Sequence, residues 1–440
     1  LDLNDPRAFS VSSPSVVNSS LIPSGRLVRL IPEDPTGKHL EKAAIKTFFN
    51  HRLTSSPSLA RIEWLDIVEA RHSLWTHISS SKRELIRSFL NTINLEIVKR
   101  ARPSSVFNFQ SASVGNLFLT GARLFTGSFE SSIYLLGAIT GVPANVNVIP
   151  AINSNFSHHI SAGLEDGTII TGQNAISHPS APSANVFSTT TNPSHSAPPE
   201  SPVSHTSRLS KELSAHDLVE DANLPGSLPT LRKQYITFAK SHTENLPSRI
   251  ERIWYINPYG QEIRPAPNPS VITSLSEASC IIYSIGSLYT SIIPCLILRD
   301  VGEAISNPSI KYKILVLNGS LDRETRSIRM EFDAVDFVKA IADACDSSRG
   351  TRGRIYDYVT HVIYLQGDGT PRVEKEELAA LGVECVKIYG RKAEDGGMIY
   401  DGMALTQALE AIVGKRDPRA DKSRRNTMLP GYTTPTKNEG

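Results

Sequence analysis

No apolar run in the 440 residues approaches the roughly 20 that a membrane-spanning helix needs, and no signal-peptide pattern stands at the start of the chain. Neither a membrane-embedded nor an exported protein is expected, and the cytoplasm is the default. Net charge is also scarce. Lys and Arg number 46 against 44 Asp and Glu, leaving +2, so the chain lacks the global basic field that nucleic-acid or membrane-surface binding draws on. The four cysteines, Cys280, Cys295, Cys345 and Cys385, show no Cys-x-x-Cys spacing, which argues against a disulfide framework and a cysteine-based zinc site alike. They are expected as buried thiols in a reducing compartment. The standard nucleotide fingerprints and the Gly-x-Ser-x-Gly elbow are missing too. The chain starts at Leu1 rather than Met, so an upstream segment is expected.

An apolar content of 40% over this length is enough for one large core or two smaller ones. Residues 1–24 are rich in Ser, Pro and Asn and carry no sustained period, as do residues 178–247, where His and Thr join them. Both are expected to be disordered, the second as a long insert in an α/β domain spanning 25–414. Within it, residues 209–220 have a helical pattern that fits an idle amphipathic turn or a partner-binding motif. Residues 415–440 form a basic tail containing Lys415, Arg416, Arg419, Lys422, Arg424 and Arg425; a solvated tail and a nuclear or anionic-partner signal both fit it.

Periodicity predicts helices within residues 40–101, where Ser81 and Glu84 form a capping-box pattern ahead of Ile86, Phe89, Leu90, Ile93 and Ile97. Further helices are expected at 117–125 and 129–139, the latter closed by Gly141. Short strands at 147–152, 159–164 and 168–171 follow, with Asp166-Gly167 as a hairpin turn. After Ile250, strand and helix alternate, which argues for a parallel sheet with helices on its faces. Strands are expected at 252–256, 279–283, 313–317, 361–365 and 384–389, and helices at 335–345, 374–381 and 403–413, with Gly382 and Gly414 as C-terminal caps.

Ligands of open α/β sheets bind at the carboxyl ends of strands, which singles out three loops. In Ser284-Ile285-Gly286-Ser287-Leu288-Tyr289-Thr290-Ser291, Gly286 allows close backbone approach, Ser287, Thr290 and Ser291 offer hydroxyls, and Tyr289 could stack on a base. A helix opening there would turn free N–H groups towards an anion; an ordinary strand-to-helix turn fits equally. In Ser113-Val114-Gly115-Asn116, Asn116 is a candidate for a ligand hydroxyl or phosphate, and an N-terminal cap is the alternative. In the loop 318–325, Asn318 is grouped with Asp322, Arg323 and Glu324, charges that ordinarily are only solvated. His158 and His159 are neighbours in a strand, so their side chains point to opposite faces and cannot jointly hold a metal. Gly367-Asp368-Gly369 reads as a turn.

In their order along the chain, these segments resemble the CofD/YvcK family. The resemblance begins at Arg26-Leu27-Val28-Arg29-Leu30 and is strongest at Ser113-Val114-Gly115-Asn116-Leu117-Phe118-Leu119-Thr120-Gly121 and at Gly286-Ser287-Leu288-Tyr289-Thr290-Ser291-Ile292-Ile293-Pro294. It takes in Leu164-Glu165-Asp166-Gly167, Gly172-Gln173-Asn174 and the loop from Asn318, and covers most of the chain outside insert and tails. The resemblance implies a Rossmann-like three-layer α/β fold with a mainly parallel sheet and an added β-hairpin. It also implies a nucleotide-diphosphate-linked ligand near Gly115, Asn116, Gly286, Ser287, Tyr289, Thr290 and Asn318. In the transferase branch a phospholactyl group passes from a guanosine diphosphate-linked donor to a deazaflavin with a divalent metal, Mg2+ being the candidate; in the YvcK branch a uridine diphosphate sugar is held by a regulatory protein. The family's Gly-Gly-Thr-Gly loop and Asp-Asp-Gly-Gly segment have no counterpart before Arg26, where residues 20–25 read Ser-Leu-Ile-Pro-Ser-Gly. Whether the chain is an enzyme, the identity of any general base and a homodimeric state stay open. Neither nucleic acid nor membrane is expected as a partner.

Overall fold

The structure is a computed structural model that describes residues 40–101, 107–143, 146–152, 158–177, 245–326, 332–393 and 397–414, with positions 9, 10, 28, 30, 31 and 228. Most of the expected insert, including its helical pattern at 209–220, lies outside the described residues, as do the tail from 415 and most of the first 24 residues.

A helical layer comes first: α1 (Leu40–Asn50), α2 (Pro57–Val68), α3 (Ser80–Arg100), α4 (Val114–Thr126) and α5 (Phe129–Thr140). The apolar stripe of α3 is real, since Ile86, Phe89, Leu90 and Ile93 are all buried in one core with Leu117 and Phe118 of α4. The capping box at Ser81 and Glu84 is not formed. Ser79 is the N-cap, its N–H donating 3.0 Å to Glu41 of α1, while Glu84 pairs with Arg87 at 2.9 Å. A carboxylate from a packed neighbour has displaced the local one. Gly127 and Gly141 close α4 and α5 at φ +70, the left-handed conformation that glycine adopts without steric cost.

The α3–α4 crossing depends on Gly121, where an added Cβ would stand 2.0 Å from the Phe89 carbonyl oxygen. Gly121→Ala must therefore push the α3 and α4 backbones away from each other. It is expected to cost about 2 kcal/mol or more, read as a lowered denaturation midpoint, whereas Gly137→Ala, with nothing within 4 Å, should be neutral or slightly stabilising.

Next comes an antiparallel sheet of β1 (His159–Leu164), β2 (Ile169–Thr171), β3 (Ile250–Ile256) and β4 (Glu262–Ile263), in the order β2-β1-β3-β4. The short helix α6 (Gln173–Ser177) follows β2. The β1–β2 hairpin turns at Gly167, φ +83, and Asp166 stabilises it through its side chain, which accepts the Thr168 N–H at 2.9 Å. Two expectations change here. The strand after Ile250 does not join the parallel sheet but pairs antiparallel with β1, His159 opposite Ile256; alternation along a strand carries no information about its direction. Of residues 147–152 only Ile149–Pro150 forms a ladder, with Phe9–Ser10, because Pro150 has no N–H to extend one.

The parallel sheet consists of β5 (Cys280–Tyr283), β6 (Tyr312–Val316), β7 (His361–Tyr364) and β8 (Glu384–Lys387), each beside the next. Helix α7 (Pro269–Ser276) precedes it. The connections run through α8 (Ile293–Leu296) and α9 (Val301–Ser306), then α10 (Ala334–Arg349), then α11 (Lys375–Ala380); the hairpin β9 (Gly390–Lys392) and β10 (Met398–Tyr400) and helix α12 (Gly402–Val413) end the described chain. Along β6, Leu315 and Leu317 share a core with Phe337, Val338 and Ile341 of α10. Ile314 and Val316 share another with Leu405 and Ile412 of α12. The near-continuous apolar runs of the central strands β6 and β7 thus reflect burial on both faces.

The fold is mixed α/β, built around one four-stranded parallel and one four-stranded antiparallel sheet. Of the four cysteines, all free, only Cys345 is buried; Cys280, Cys295 and Cys385 are half-exposed, because they flank rather than fill the cores. No helix among the described residues is long and apolar enough to cross a membrane.

Candidate functional site

Strand β5 delivers Ser284-Ile285-Gly286-Ser287 to the carboxyl edge of the parallel sheet. The chain then enters a π turn, Leu288–Ile292, which runs into α8. Pro294 accounts for the irregularity: lacking an N–H, it cannot donate to the Thr290 carbonyl, which receives the Gln173 side-chain amide at 3.4 Å instead. Single π turns of this kind often occur at functional sites.

The N–H groups of Tyr289 and Thr290, which a phosphate was expected to meet, are occupied from within. Both donate to Glu324 Oε2, at 2.9 and 3.0 Å. The hydroxyls of Thr290 and Ser177 lie 2.5 and 3.0 Å from Glu324 Oε1. Glu324 is 2% exposed, so the loop charge expected to be solvated is instead a core connector, and α6, the π turn and the loop 318–325 meet on it. Burial pushes its carboxyl up to about 8, with the nearby Asp322 charge adding to the effect and the Thr290 and Ser177 donors opposing it. Arg323 fastens the same loop to α6 by donating to the Ala175 and Ile176 carbonyls, at 2.7 and 2.9 Å.

Tyr289 also turns inward. Its hydroxyl donates to the Ile250 carbonyl at 3.1 Å and its ring meets Phe332 edge-on at 6.0 Å. Tyr289→Ala is accordingly expected to lower stability by about 3–5 kcal/mol, measured by chemical denaturation; retention of wild-type stability would mean that the ring is not part of the core.

The surface between the first and third loops stays open to a ligand. Asn318 donates to the Gly286 carbonyl at 3.3 Å and Met398 N–H donates to the Gly319 carbonyl at 2.8 Å. Gly367-Asp368-Gly369 is a turn, and the Gly369 carbonyl fixes the third loop by accepting the Leu321 N–H at 2.9 Å. A cavity of about 720 Å3 lies against these loops, lined by Ile285, Gly319, Arg391, Tyr400, Asp401 and Gly402 among others. Tyr400 is held by the Leu317 and Ile363 carbonyls at 2.7 and 3.2 Å, and Asp401 caps α12 by accepting the Ala404 N–H. In the same segment, Ser284 Oγ, one residue before Ile285, and Ser291 Oγ, in the π turn, are buried with no hydrogen-bond partner among the described residues.

Gly286, Ser287 and Asn318 are thus brought together. Tyr289 and Thr290 adjoin them but face the core, and Gly115 and Asn116 lie in α4 within the helical layer, where the Ser113 hydroxyl accepts the Asn116 N–H at 3.4 Å. The N-cap alternative for that segment describes its backbone. Sequence reasoning passed over Arg391 and Asp401, which sit on a hairpin and a helix end with no local motif, and Ser177, whose partner is 147 positions away.

The residues at this site do not fit a Mg2+ ion. Glu324 spends both oxygens on protein donors, Asp322 Oδ1 accepts the Glu324 and Thr325 amides, and Asp401 stands apart on α12. The one His, Cys, Asp or Glu cluster with metal-ligand spacing among the described residues lies elsewhere.

Comparison with known proteins agrees with the resemblance. A family model described as 2-phospho-L-lactate transferase CofD matches residues 25–392. The uncharacterized protein YNL011C of Saccharomyces cerevisiae is 35% identical over 390 residues, 82% of each chain. The gluconeogenesis factor of Halalkalibacterium halodurans is 23% identical over 325 residues, covering 71% of this chain and 72% of its own. A crystal structure of protein BH3568 from Bacillus halodurans aligns with 85% of this chain and 96% of its own, at 18% identity and a TM-score of 0.45. The chain belongs to the CofD family.

Proposed function

We propose that the chain binds a nucleoside-diphosphate-linked small molecule, of the GDP or UDP type, at the carboxyl ends of β5 and β6 in a Rossmann-like arrangement. The observation that carries this reading is the pair Ser284 Oγ and Ser291 Oγ, buried without a hydrogen-bond partner among the described residues, in the segment whose Ile285 lines the 720 Å3 cavity. A buried hydroxyl without a partner costs about 1–3 kcal/mol, a cost that a ligand oxygen would offset. Glycine at 286 lets the loop pass close to Ser291, since an added Cβ would stand 3.1 Å from Ser291 Cβ. The Arg391 guanidinium supplies a fork suited to a diphosphate.

The family description, 2-phospho-L-lactate transferase, together with the resemblance, supports transfer of a phospholactyl group from such a donor to a deazaflavin acceptor as the first reading. A second reading, a regulatory protein holding a UDP-sugar without turnover, is favoured by Glu324. The Glu324 carboxyl, which touches the π turn, is consumed by hydrogen bonds to Tyr289, Thr290 and Ser177 and is not placed to take a proton from an acceptor. A relative named gluconeogenesis factor points the same way. Calorimetric titration with GDP, UDP and UDP-sugars, followed by an assay with a deazaflavin acceptor, separates the two. Binding with transfer supports the first, binding of a UDP-sugar alone the second, and no heat from any of them rejects both.

A further inference from the structure

The helical layer carries a second constellation, which the proposed nucleotide ligand does not use. His51, Glu63 and His72 bring their ligand atoms within 4.8 Å of one another. His51 follows α1, Glu63 lies in the middle of α2, and His72 returns towards it through a tight reversal after α2. In that reversal the Arg71 and His72 N–H groups both donate to the Asp66 carbonyl, at 2.8 and 3.1 Å, and Ala70 is held at φ +62. A non-glycine residue in that conformation persists only where its surroundings fix it. His51 is anchored from the other side, its carbonyl accepting the Val114 N–H at 3.1 Å.

Glu63 is oriented as a one-oxygen ligand. Its Oε2 accepts the Thr54 N–H at 2.8 Å, leaving Oε1 to face the two rings, 2.6 Å from His51 Nε2 and 3.7 Å from His72 Nε2. The three side chains are 26%, 18% and 22% exposed in that order, so the cluster is set into the surface with one side open.

We propose that His51, Glu63 and His72 form a binding site for a divalent transition-metal ion of the zinc type, with the fourth position left to water or a small ligand. Two imidazole nitrogens and one carboxylate oxygen are a donor set that zinc uses, and imidazole disfavours Mg2+ and Ca2+. Tetrahedral coordination at zinc–nitrogen and zinc–oxygen lengths separates ligand atoms by roughly 3.3 Å, between the two separations found here. The Thr54 amide supplies the outer-shell contact that such a carboxylate ordinarily has.

Loading has one specific consequence. The Leu74 N–H donates to His72 Nδ1 at 3.1 Å, a geometry that puts the ring proton of a neutral His72 on Nε2. Metal binding moves that proton to Nδ1 and breaks the Leu74 contact, a small loss against three metal–ligand bonds. The Leu74 amide should therefore respond to metal although it is not a ligand.

The test uses the full chain, stripped with a chelator and titrated with Zn2+ against a chromophoric competitor. Co2+ serves as a spectroscopic substitute, and the Leu74 amide is followed by NMR. One equivalent is expected to bind tightly, Co2+ to show the intense visible absorption of a four-coordinate site, and the Leu74 resonance to shift. Glu63→Gln and His72→Ala should each weaken binding by roughly 100-fold. Glu63→Gln keeps an acceptor for the Thr54 amide and so tests the metal without removing that contact; melts of the metal-free variants check that both fold. Absence of one-equivalent binding by the wild type overturns the proposal. Affinity unchanged in both variants does so too, placing any bound ion among the other histidines of the 12 in the chain.

Discussion

Glu324→Ala is expected to lower stability by about 3–5 kcal/mol, while Glu324→Gln is expected to cost far less. Alanine strands the N–H groups of Tyr289 and Thr290 and the hydroxyls of Thr290 and Ser177 in a site that is 2% exposed. Glutamine keeps a carbonyl oxygen for the two amides and offers an NH2 group to the hydroxyls. The comparison is informative because burial pushes the Glu324 carboxyl up to about 8. In its protonated form the carboxyl can donate from Oε1 to Thr290 Oγ1, 2.5 Å away, and still accept both amides at Oε2.

The sign of the pH dependence follows. An unfolded glutamate titrates near about 4.3, so between that pH and about 8 the folded chain retains a proton that the unfolded chain has released. Glu324 therefore makes stability fall as pH rises through this window, by at most about 1.4 kcal/mol per unit, and the effect levels off above the folded value. Urea denaturation of wild type and Glu324→Gln across the window should show a slope in the first that is reduced in the second. Identical slopes would mean that the carboxyl is ionised in the folded protein.

Gly319→Ala should abolish most ligand affinity. An added Cβ would stand 1.8 Å from the Met398 carbonyl oxygen, on a backbone pair already joined by the bond from Met398 N–H to the Gly319 carbonyl at 2.8 Å. Neither atom belongs to a flexible side chain. The only relief is to drive β10 away from the loop, and β10 leads directly into the Tyr400, Asp401 and Gly402 wall of the cavity. The expected result is a fall in affinity of roughly 100-fold or more, with about 1–3 kcal/mol of lost stability. Wild-type affinity in this variant would mean that the ligand does not use the cavity between β5, β6 and β10.

The strands of the parallel sheet and the helices α10, α11 and α12 were legible in the sequence because apolar runs and caps are local signals, whereas the short α7 and α9 were not. Asp333 and Asp336 at the start of α10 and Gly382 at φ +79 after α11 are examples. The antiparallel pairing of β3 was not legible, since its partner β1 lies across the insert. Nor was the inward role of Glu324: a charged residue in a polar loop looks solvated until tertiary structure brings Ser177 and the π turn to it. In the candidate site, the Gly286 and Asn318 segments could be read as neighbours from the order of motifs. Arg391 could not, because a hairpin projecting one arginine over a cavity leaves no spacing to detect.

Ser284 and Ser291 provide the most direct test of ligand binding at the Gly286 loop. Their hydroxyls are buried without partners among the described residues, so a purely structural role predicts that removing them is harmless to everything, whereas a ligand role separates stability from affinity. The measurement is calorimetric titration of GDP- and UDP-type ligands into wild type and the Ser284→Ala, Ser291→Ala double variant, with melting temperatures of both ligand-free proteins. Binding at the loop predicts a melting temperature that is unchanged or raised and an affinity lower by about 10-fold or more. Equal affinity in the two proteins, or no binding by the wild type, would contradict it.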